Sequence, residues 1–348
     1  MRVIERSSSH GESTAQVALV DDRPTTTNNQ PLADRLATLA GLAAALAAIA
    51  GFVPGMYRDP ELIVGQSHGY DLANLIVALV LELSIVVAAR GSSRARLVAI
   101  GALGCLAYSF VTYAFLIVLN PATLLYIAVL AFAGWSFVFG FTRIDDAKVE
   151  AVLRGRLARR TTACFLVILA VVFGITWLSQ IAAADIGGNL PAELAASGWP
   201  MNPVYVLDLG FVLPLALMTA VGLARRRPAA ERIAVSFVVF VALLAMSILL
   251  MAGSSTLAGQ PLQTPMIAIF VTVLAVSTAL AALALRRPRA VIGTPPAARG
   301  VRSNDRKNKL MTSPVEAKPA TETQRRLSTL LKWLFRLPIA LYHVGLAG

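Results

Sequence analysis

Eight apolar stretches, each about as long as a helix that crosses a bilayer, fill the chain from residue 36 to residue 285. A bilayer core takes roughly 20 apolar residues per helix, and a segment in lipid must pair its own backbone groups, which favours helices. Only 14% of the 348 residues are charged, which is too little for the surface of a soluble domain of this size. The sequence therefore predicts an all-α fold, a polytopic membrane bundle of eight transmembrane helices. The predicted spans are 36–55, 72–89, 97–118, 123–141, 162–184, 204–224, 233–253 and 265–285.

Positive charge alternates between the loops that join these spans. Lys and Arg concentrate in the loops after the second, fourth and sixth spans, and the other four loops have one basic residue between them, Arg58. Cytoplasmic loops of membrane proteins carry an excess of Lys and Arg, so both termini are predicted to be cytoplasmic. Residues 1–35 contain no apolar core, so no cleavable signal peptide is expected. The membrane domain uses Arg far more than Lys and is rich in Ala, which is typical of GC-rich bacterial genomes, and we expect a bacterial plasma (inner) membrane.

Composition divides the chain into four parts. Residues 1–35 are rich in Ser, Thr and Asn, which predicts a disordered cytoplasmic arm before the membrane domain at 36–286. Residues 287–322 are Pro-rich and basic, which is typical of a flexible linker. Residues 323–348 alternate basic and apolar side chains at helical spacing, which predicts an amphipathic helix at the membrane interface.

Most of the net charge of +12 belongs to the C-terminal tail. Residues 286–348 hold 13 Lys and Arg against three acidic residues, and the rest of the chain is nearly neutral. The expected partners are therefore the lipid bilayer and, for the basic tail, the anionic lipids of the inner leaflet. The charge distribution does not indicate nucleic-acid binding.

A faint internal repeat relates the two halves of the membrane domain. In each half, an Asp lies near the outer end of the second span, Asp71 in one case and Asp208 in the other. An Arg-rich loop and a pair of closely joined spans follow in both halves. Because both halves would start on the same side, the pattern predicts a parallel four-plus-four repeat. A chance match of spacing is the alternative.

Acidic side chains inside the spans are the main functional candidates, because an ionisable group in lipid is costly. Asp71 and Glu82 are eleven residues apart, which places both on one helical face together with Asn74 and Ala78. This polar stripe is expected to point into the bundle. Two alternatives are open: Asp71 is a solvated residue at a helix start, and Glu82 makes a structural hydrogen bond to a Tyr or Ser of the next helix.

The sixth span is expected to be a broken helix. Pro214 removes a backbone donor and leaves the carbonyl of Gly210 without its helical partner. Interrupted helices within membranes line cavities or are covered by protein, so Asn202, Tyr205 and Asp208 are predicted to form a polar pocket in the outer half. The alternative is an ordinary proline kink in which Asp208 bonds a neighbouring helix.

Together with a hydroxyl group of the third span, these residues form one candidate intramembrane polar site. Its members are Asp71, Asn74, Glu82, Tyr108, Asn202, Tyr205 and Asp208. Since no basic residue lies deep inside a span, converging acids would favour a proton or a cation, or would be protonated because burial disfavours the charged form. The expected activity is binding or transport of a small molecule or ion that the sequence does not identify. The other hydroxyls of the third span, on Ser109, Thr112 and Tyr113, are equally consistent with helix packing.

Other kinds of chemistry have little support in the sequence. The two cysteines, Cys105 and Cys164, both lie within spans, so neither a disulfide framework nor a Cys-based metal site is predicted. His68 is placed in an outer loop near Asp71, and a role as a metal ligand is not favoured. No phosphate-binding loop, Ser-His-Asp arrangement or zinc-protease motif is present. We expect no cofactor, no catalytic residue and no bound metal, and the prediction leans against an enzyme.

The tail also resembles a known family. Residues 333–346 read Trp-Leu-Phe-Arg-Leu-Pro-Ile-Ala-Leu-Tyr-His-Val-Gly-Leu, and residues 325–348 as a whole are similar to the opening of the deazaflavin-dependent nitroreductase family. There, a basic amphipathic segment precedes a small split β-barrel that binds a deazaflavin. The given sequence ends before the family's Gly-Arg-Lys-Ser-Gly-type segment, so the resemblance assigns no cofactor or catalytic residue here. It implies that the chain is a truncated fusion with such a domain, in which the spans are a non-catalytic membrane module. The alternative is that the tail is an independent amphipathic anchor.

The membrane domain resembles a group of uncharacterised bacterial eight-span integral membrane proteins. The similarity rests on three short segments, at residues 55–59, 90–94 and 202–208. It supports the predicted topology and implies nothing about activity.

Overall fold

The structure is a computed structural model that describes residues 30–142, 153, 157–188, 190–199, 201–261 and 264–286. The residues within these ranges form α-helices and one π-helical turn, and no strand. Eight segments are long and apolar enough to cross a membrane, which confirms the all-α prediction with eight spans. The helices are α1 (Gln30–Gly51), α2 (Glu61–Ala89), α3 (Ser93–Leu116), α4 (Thr123–Thr142), α5 (Arg159–Gly187), α6 (Ala192–Ser197), α7 (Pro203–Leu207), α8 (Leu213–Ala224), α9 (Pro228–Leu257) and α10 (Thr264–Leu285).

Helix α2 begins much earlier than its predicted span. It starts at Glu61 rather than at residue 72, so the segment around Gly65 and Gly69 is helical. The polar and glycine residues of this segment suggested a loop, but both glycines lie against α9. A β-carbon on Gly69 would come within 2.6 Å of the Met251 Cα atom, and one on Gly65 within 2.9 Å of the Ala258 side chain. Close packing between two helices thus supports a helical segment of low hydropathy.

The early start of α2 excludes one alternative and overturns one prediction about this segment. Asp71 is not a solvated residue at a helix start, because it is the eleventh residue of α2 and only 1% exposed. His68 does not lie in a loop, because it belongs to α2. Its imidazole ring stacks on Phe52, with 5.6 Å between ring centroids.

Two helices form the centre of the bundle. In their most apolar stretches, 67% of the residues of α3 and 61% of those of α9 are buried, against 17% for α10. Helix α3 packs between α2 and α4, and α1 contacts both α2 and α4. Helix α9 packs against α2, α3, α8 and α10, while α5 packs mainly against α8. The large apolar side chains that α5 and α10 leave exposed suit contact with lipid.

The two ends of the bundle differ in chemistry. We call the end where α2 ends and α3 begins the arginine end, because Arg90, Arg94 and Arg96 lie there. Two ion pairs join helices at this end, Arg96 to Asp34 at 2.8 Å and Arg159 to Glu231 at 2.6 Å. We call the other end, where α1 ends and α2 begins, the cavity end. Two of its loops are held together there, since Asp59 Oδ1 accepts a hydrogen bond from the Val118 backbone N–H at 3.0 Å.

The sixth span is interrupted, as expected from Pro214. It consists of α7, a π-helical turn at Asp208–Val212 and α8, and Pro214 lies in the first turn of α8. A π-helical turn accommodates one extra residue per turn and often marks a functional position. Here it begins at Asp208, the acid that the sequence placed in a polar pocket.

Several predictions lie outside this part of the structure. The N-terminal arm was predicted at 1–35, but α1 already begins at Gln30, so the arm prediction is wrong for residues 30–35. The rest of the arm, the linker and the tail at 287–348 fall outside the described residues. The sidedness of the membrane domain and the four-plus-four repeat stay predictions.

Candidate functional site

A cavity of about 670 Å³ occupies the cavity end of the bundle. It is bounded by α2, α3, α5, α7, α8, α9, α10 and the π-helical turn. Its volume lies within the range of pockets that hold small organic molecules. Most of the lining is aliphatic or aromatic, and the polar lining side chains include Gln66, Ser67, Thr112, Gln180, Asn202, Asp208 and Gln260.

Asp208 is the one carboxylate among the described residues that line this cavity, and no Lys, Arg or His of the described chain lines it. It is only 8% exposed. Tyr108 of α3 donates a hydrogen bond to Oδ1 at 3.0 Å, and the indole N–H of Trp177 of α5 donates one to Oδ2 at 2.8 Å. These two donors fix the orientation of the carboxylate. Each oxygen keeps a further lone pair with which to accept from a ligand.

The other two residues of the predicted pocket take different positions. Asn202 lines the cavity and caps α7, since its Oδ1 accepts from the Val204 backbone N–H at 3.0 Å. Tyr205 is buried behind the wall and donates its hydroxyl proton to Gln180 Oε1 at 2.7 Å. Gln180 itself lines the cavity, so Tyr205 acts on the site by positioning Gln180.

Aromatic rings line much of the wall around Asp208. Trp177 packs on Tyr205 with 5.5 Å between ring centroids, and Tyr108 packs edge-on against Phe240 at 5.9 Å. Phe173 of α5 contacts Phe270 of α10 at 5.6 Å. The faces of aromatic rings attract cations, and their edges and faces both bury apolar groups.

Asp71 forms a second polar centre, next to the cavity but not on its wall. Tyr57 donates a hydrogen bond to Asp71 Oδ2 at 2.6 Å, and Tyr113 of α3 donates one to Oδ1 at 2.8 Å. The Tyr113 hydroxyl also lies 3.2 Å from the Ser67 carbonyl oxygen. Tyr113 and Ser67 do line the cavity, so Tyr113 connects Asp71 with it. Burial and the nearby Asp71 carboxylate raise the pKa of Tyr57 above its usual value.

The predicted polar stripe faces α1. Thr38 of α1 lies beside the Glu82 carboxylate, and a β-carbon on Gly41 would overlap Glu82 Oε1. Glu82 therefore packs against α1 rather than against the next helix along the chain. Asn74 is fully buried, and neither its Oδ1 nor its Nδ2 atom has a hydrogen-bond partner.

The three acids do not converge on one site. Asp208 contacts α3 and α5, Asp71 contacts Tyr57 and α3, and Glu82 lies about 16 Å from Asp71 along the axis of α2. The seven candidate residues thus separate into a cavity group, Asn202, Tyr205, Asp208 and Tyr108, and an α2 group, Asp71, Asn74 and Glu82. Among the described residues, no three His, Cys, Asp or Glu side chains are close enough to hold a metal ion.

Sequence reasoning missed several partners of these groups. Trp177 and Gln180 lie on α5, which carried no candidate, and Tyr57 lies in a loop. A signal was available for the first two, since an indole and an amide four residues or fewer apart inside an apolar span suggest a polar face. Nothing in the sequence linked Tyr57 to Asp71, because that contact depends on how the loop folds back.

Comparisons with known proteins found no match. No family model, curated protein or solved structure is similar to this chain.

Proposed function

We propose that the protein binds and transports a small, amphipathic molecule that carries a positive charge. The observation that carries this proposal is the position of Asp208, a carboxylate on the wall of a cavity of about 670 Å³ whose other described lining residues are uncharged. A neutral or anionic molecule would leave this carboxylate without a charged partner in a medium of low dielectric constant. A cation would compensate the charge, and the apolar lining would bury the rest of the molecule.

The surroundings of Asp208 support a cation further. Tyr108 and Trp177 donate to its two oxygens and hold the carboxylate still, so little ordering is needed on binding. Aromatic side chains at the wall, among them Phe173 and Phe240, offer ring faces to a delocalised or alkylated cation. The amide of Gln180, positioned by Tyr205, adds a hydrogen-bonding group on the α5 side.

Sidedness and location complete the proposal. The arginine end corresponds to the loops that the charge pattern places in the cytoplasm. On this basis the cavity opens in the outer half of a bacterial plasma membrane, and its contents reach the other side by a conformational change around Asp208. The π-helical turn at Asp208–Val212 and Pro214 form the weakest stretch of this span, since helices bend at such positions.

Binding of tetraphenylphosphonium tests the proposal. Two of the four tryptophans, Trp177 and Trp199, line the cavity, so their fluorescence reports on its occupancy in the purified full-length protein in detergent. We expect Asp208→Asn to weaken binding at least about tenfold, because the compensating charge is lost. Asp185→Asn is the matched control, since Asp185 is an exposed acid near the end of α5.

Two results would contradict the proposal. The first is no detectable binding of tetraphenylphosphonium to the wild-type protein. The second is an equal affinity in the wild type and the Asp208→Asn variant.

A second candidate function rests on the tail. The resemblance of residues 325–348 to the opening of the deazaflavin-dependent nitroreductase family favours a membrane module that serves such a reductase. On this proposal the spans anchor the protein in the membrane and the tail recruits the reductase. Deletion of residues 311–348 is expected to abolish binding of a purified reductase of that family to vesicles that contain the protein, and unchanged binding would rule the candidate out.

A further inference from the structure

We infer that the face of α2 from Asp71 to Glu82, packed against α1, is a proton path that leads from the cavity toward the arginine end. The coupling of proton movement to cation transport rests on the proposed function. The path itself does not depend on that function.

Helices α1 and α2 meet through complementary faces. A β-carbon on Gly51 would overlap the Asp71 carboxylate, and a β-carbon on Gly41 would overlap the Glu82 carboxylate. These two contacts define an antiparallel register in which Ala44 lies opposite α2 between the glycines. Ala44 and Ala48 share this face of α1 with the glycines and are buried, at 0% and 1% exposure. The small side chains of α1 thus allow the carboxylates of Asp71 and Glu82 to lie against the α1 backbone.

The stripe contains polar groups that the protein itself does not satisfy. Both side-chain polar atoms of Asn74 are buried and have no hydrogen-bond partner, and the same holds for Glu82 Oε1. An orphaned polar group this deep is costly and is usually bound to water or marks a functional role. An amide donates from nitrogen and accepts at oxygen, so Asn74 can continue a hydrogen-bonded chain from Asp71, one helical turn away. Glu82 lies eight residues, about 12 Å, further along α2, so the chain needs water between Asn74 and Glu82.

Tyr113 supplies the entrance. Its hydroxyl lies 2.8 Å from Asp71 Oδ1, and the residue lines the cavity. A proton that reaches the Tyr113 oxygen from the cavity displaces the phenolic proton, which passes to Asp71. Tyr113 is then neutral again and Asp71 is protonated, so one proton has moved from the cavity to Asp71. The other titratable groups that face Asp71 are Tyr57 and, from α4, Tyr126.

Glu82 supplies the exit. It lies seven residues before the end of α2, about 10 Å from the arginine end. Thr38 of α1 lies beside it. The proton leaves Asp71, crosses at Asn74 along hydrogen-bonded water and binds the Glu82 carboxylate, so Asp71 returns to its ionised form. A metal cation suits this path less well, because the two carboxylates are too far apart to share one ion.

Proton flux into vesicles tests the path. The full-length protein is reconstituted in vesicles of phosphatidylcholine and phosphatidylglycerol that contain a pH-sensitive dye, and valinomycin sets a potassium diffusion potential. Rates are measured with and without tetraphenylphosphonium outside. We expect flux above that of protein-free vesicles in at least one condition, and a decrease of about tenfold or more in Glu82→Gln and in Asp71→Asn.

Glu61→Gln is the matched control, because it makes the same change at the exposed first residue of the same helix. Its flux should equal that of the wild type. Asn74→Ala is a second test that alters no charge and is expected to lower the flux as well. The melting temperature in detergent shows whether each variant is folded.

The outcomes separate this inference from the proposed function. The path would be overturned if the folded Glu82→Gln variant conducted protons as fast as the wild type. It would also be overturned if the wild-type protein conducted no protons in either condition. If tetraphenylphosphonium fails to bind but the flux depends on Glu82, the path stands and the proposed cation is wrong. If it binds through Asp208 and the flux does not depend on Glu82, the proposed function stands alone.

Discussion

Tyr113 places its hydroxyl group 2.8 Å from Asp71 Oδ1 while the same residue forms part of the cavity wall. Tyr108, five residues earlier on α3, is related to Asp208 in the same way, at 3.0 Å. One helix therefore supplies a phenol donor to each of two buried carboxylates. Because α3 is also the most buried of the spans, it couples the position of both acids to the centre of the bundle.

Tyr57, which also donates a hydrogen bond to Asp71, should make the stability of the protein depend on pH in the alkaline range. The pKa of Tyr57 is raised by burial and by Asp71, so folded Tyr57 keeps its proton where an unfolded tyrosine loses it. Its contribution is complete below about pH 10, the ordinary phenol pKa, and the free energy of unfolding falls as pH rises above that value. We expect Tyr57→Phe to reduce this decline by up to about 1.4 kcal/mol per pH unit. Thermal unfolding in detergent across the alkaline range measures it, and an unchanged slope would contradict the assignment.

Close packing of α2 on α9 predicts a large effect of one methyl group. Gly69→Ala would push its β-carbon against the Met251 backbone, which cannot move aside, and should lower the free energy of unfolding by about 1–3 kcal/mol. Gly253→Ala is the control, because a β-carbon added at this position of α9 would meet no neighbouring atom within 4 Å. Alanine is also the better helix former, by up to about 1 kcal/mol. Melting temperatures in detergent compare the two. Equal stability of the two variants would mean that α2 and α9 are not in close contact.

The ion pair between Arg159 and Glu231 should anchor α5 to α9 at the arginine end. The Glu231 side chain is only 6% exposed and the N–O distance is 2.6 Å, so Arg159→Gln leaves a buried carboxylate without its charged partner. We expect a loss of about 1–3 kcal/mol in the free energy of unfolding. The neighbouring change Arg160→Gln should stay within about 0.5 kcal/mol. A cost no larger for Arg159→Gln than for Arg160→Gln would show that the pair contributes little.

Sidedness can be tested with single cysteines at the two ends of the bundle. Leu119 lies exposed at the cavity end, and Ala229 lies exposed in the first turn of α9 at the arginine end. In a Cys164→Ser background, a membrane-impermeant maleimide added to intact cells is expected to label Leu119→Cys and not Ala229→Cys. Permeabilised cells provide the control in which both react. The reverse pattern would place the arginine end outside and would reverse the direction of the proton path.

The candidate residues show where prediction from sequence succeeded and where it did not. The stripe on α2 could be predicted, since eleven residues return to nearly the same side of a helix whatever surrounds it. Its partner could not, because the fit of Gly41 and Gly51 to the two carboxylates depends on how α1 packs against α2. The start of α2 was misplaced for the same reason: Gly65 and Gly69 weaken an isolated helix and only their contact with α9 makes them favourable.

The sequence by itself determined that this is an all-helical protein with eight apolar spans, and it located the acids and the break before Pro214. These properties follow from local physics: the length of apolar stretches, the helical period and the missing backbone donor of proline. Only the tertiary structure decided that Asp208 faces a cavity while Asp71 and Glu82 face α1, and that Trp177, Tyr57 and Tyr113 bond them. Hydropathy and periodicity give the direction of a side chain about its own helix, but the neighbour it meets depends on the packing of helices distant in the chain.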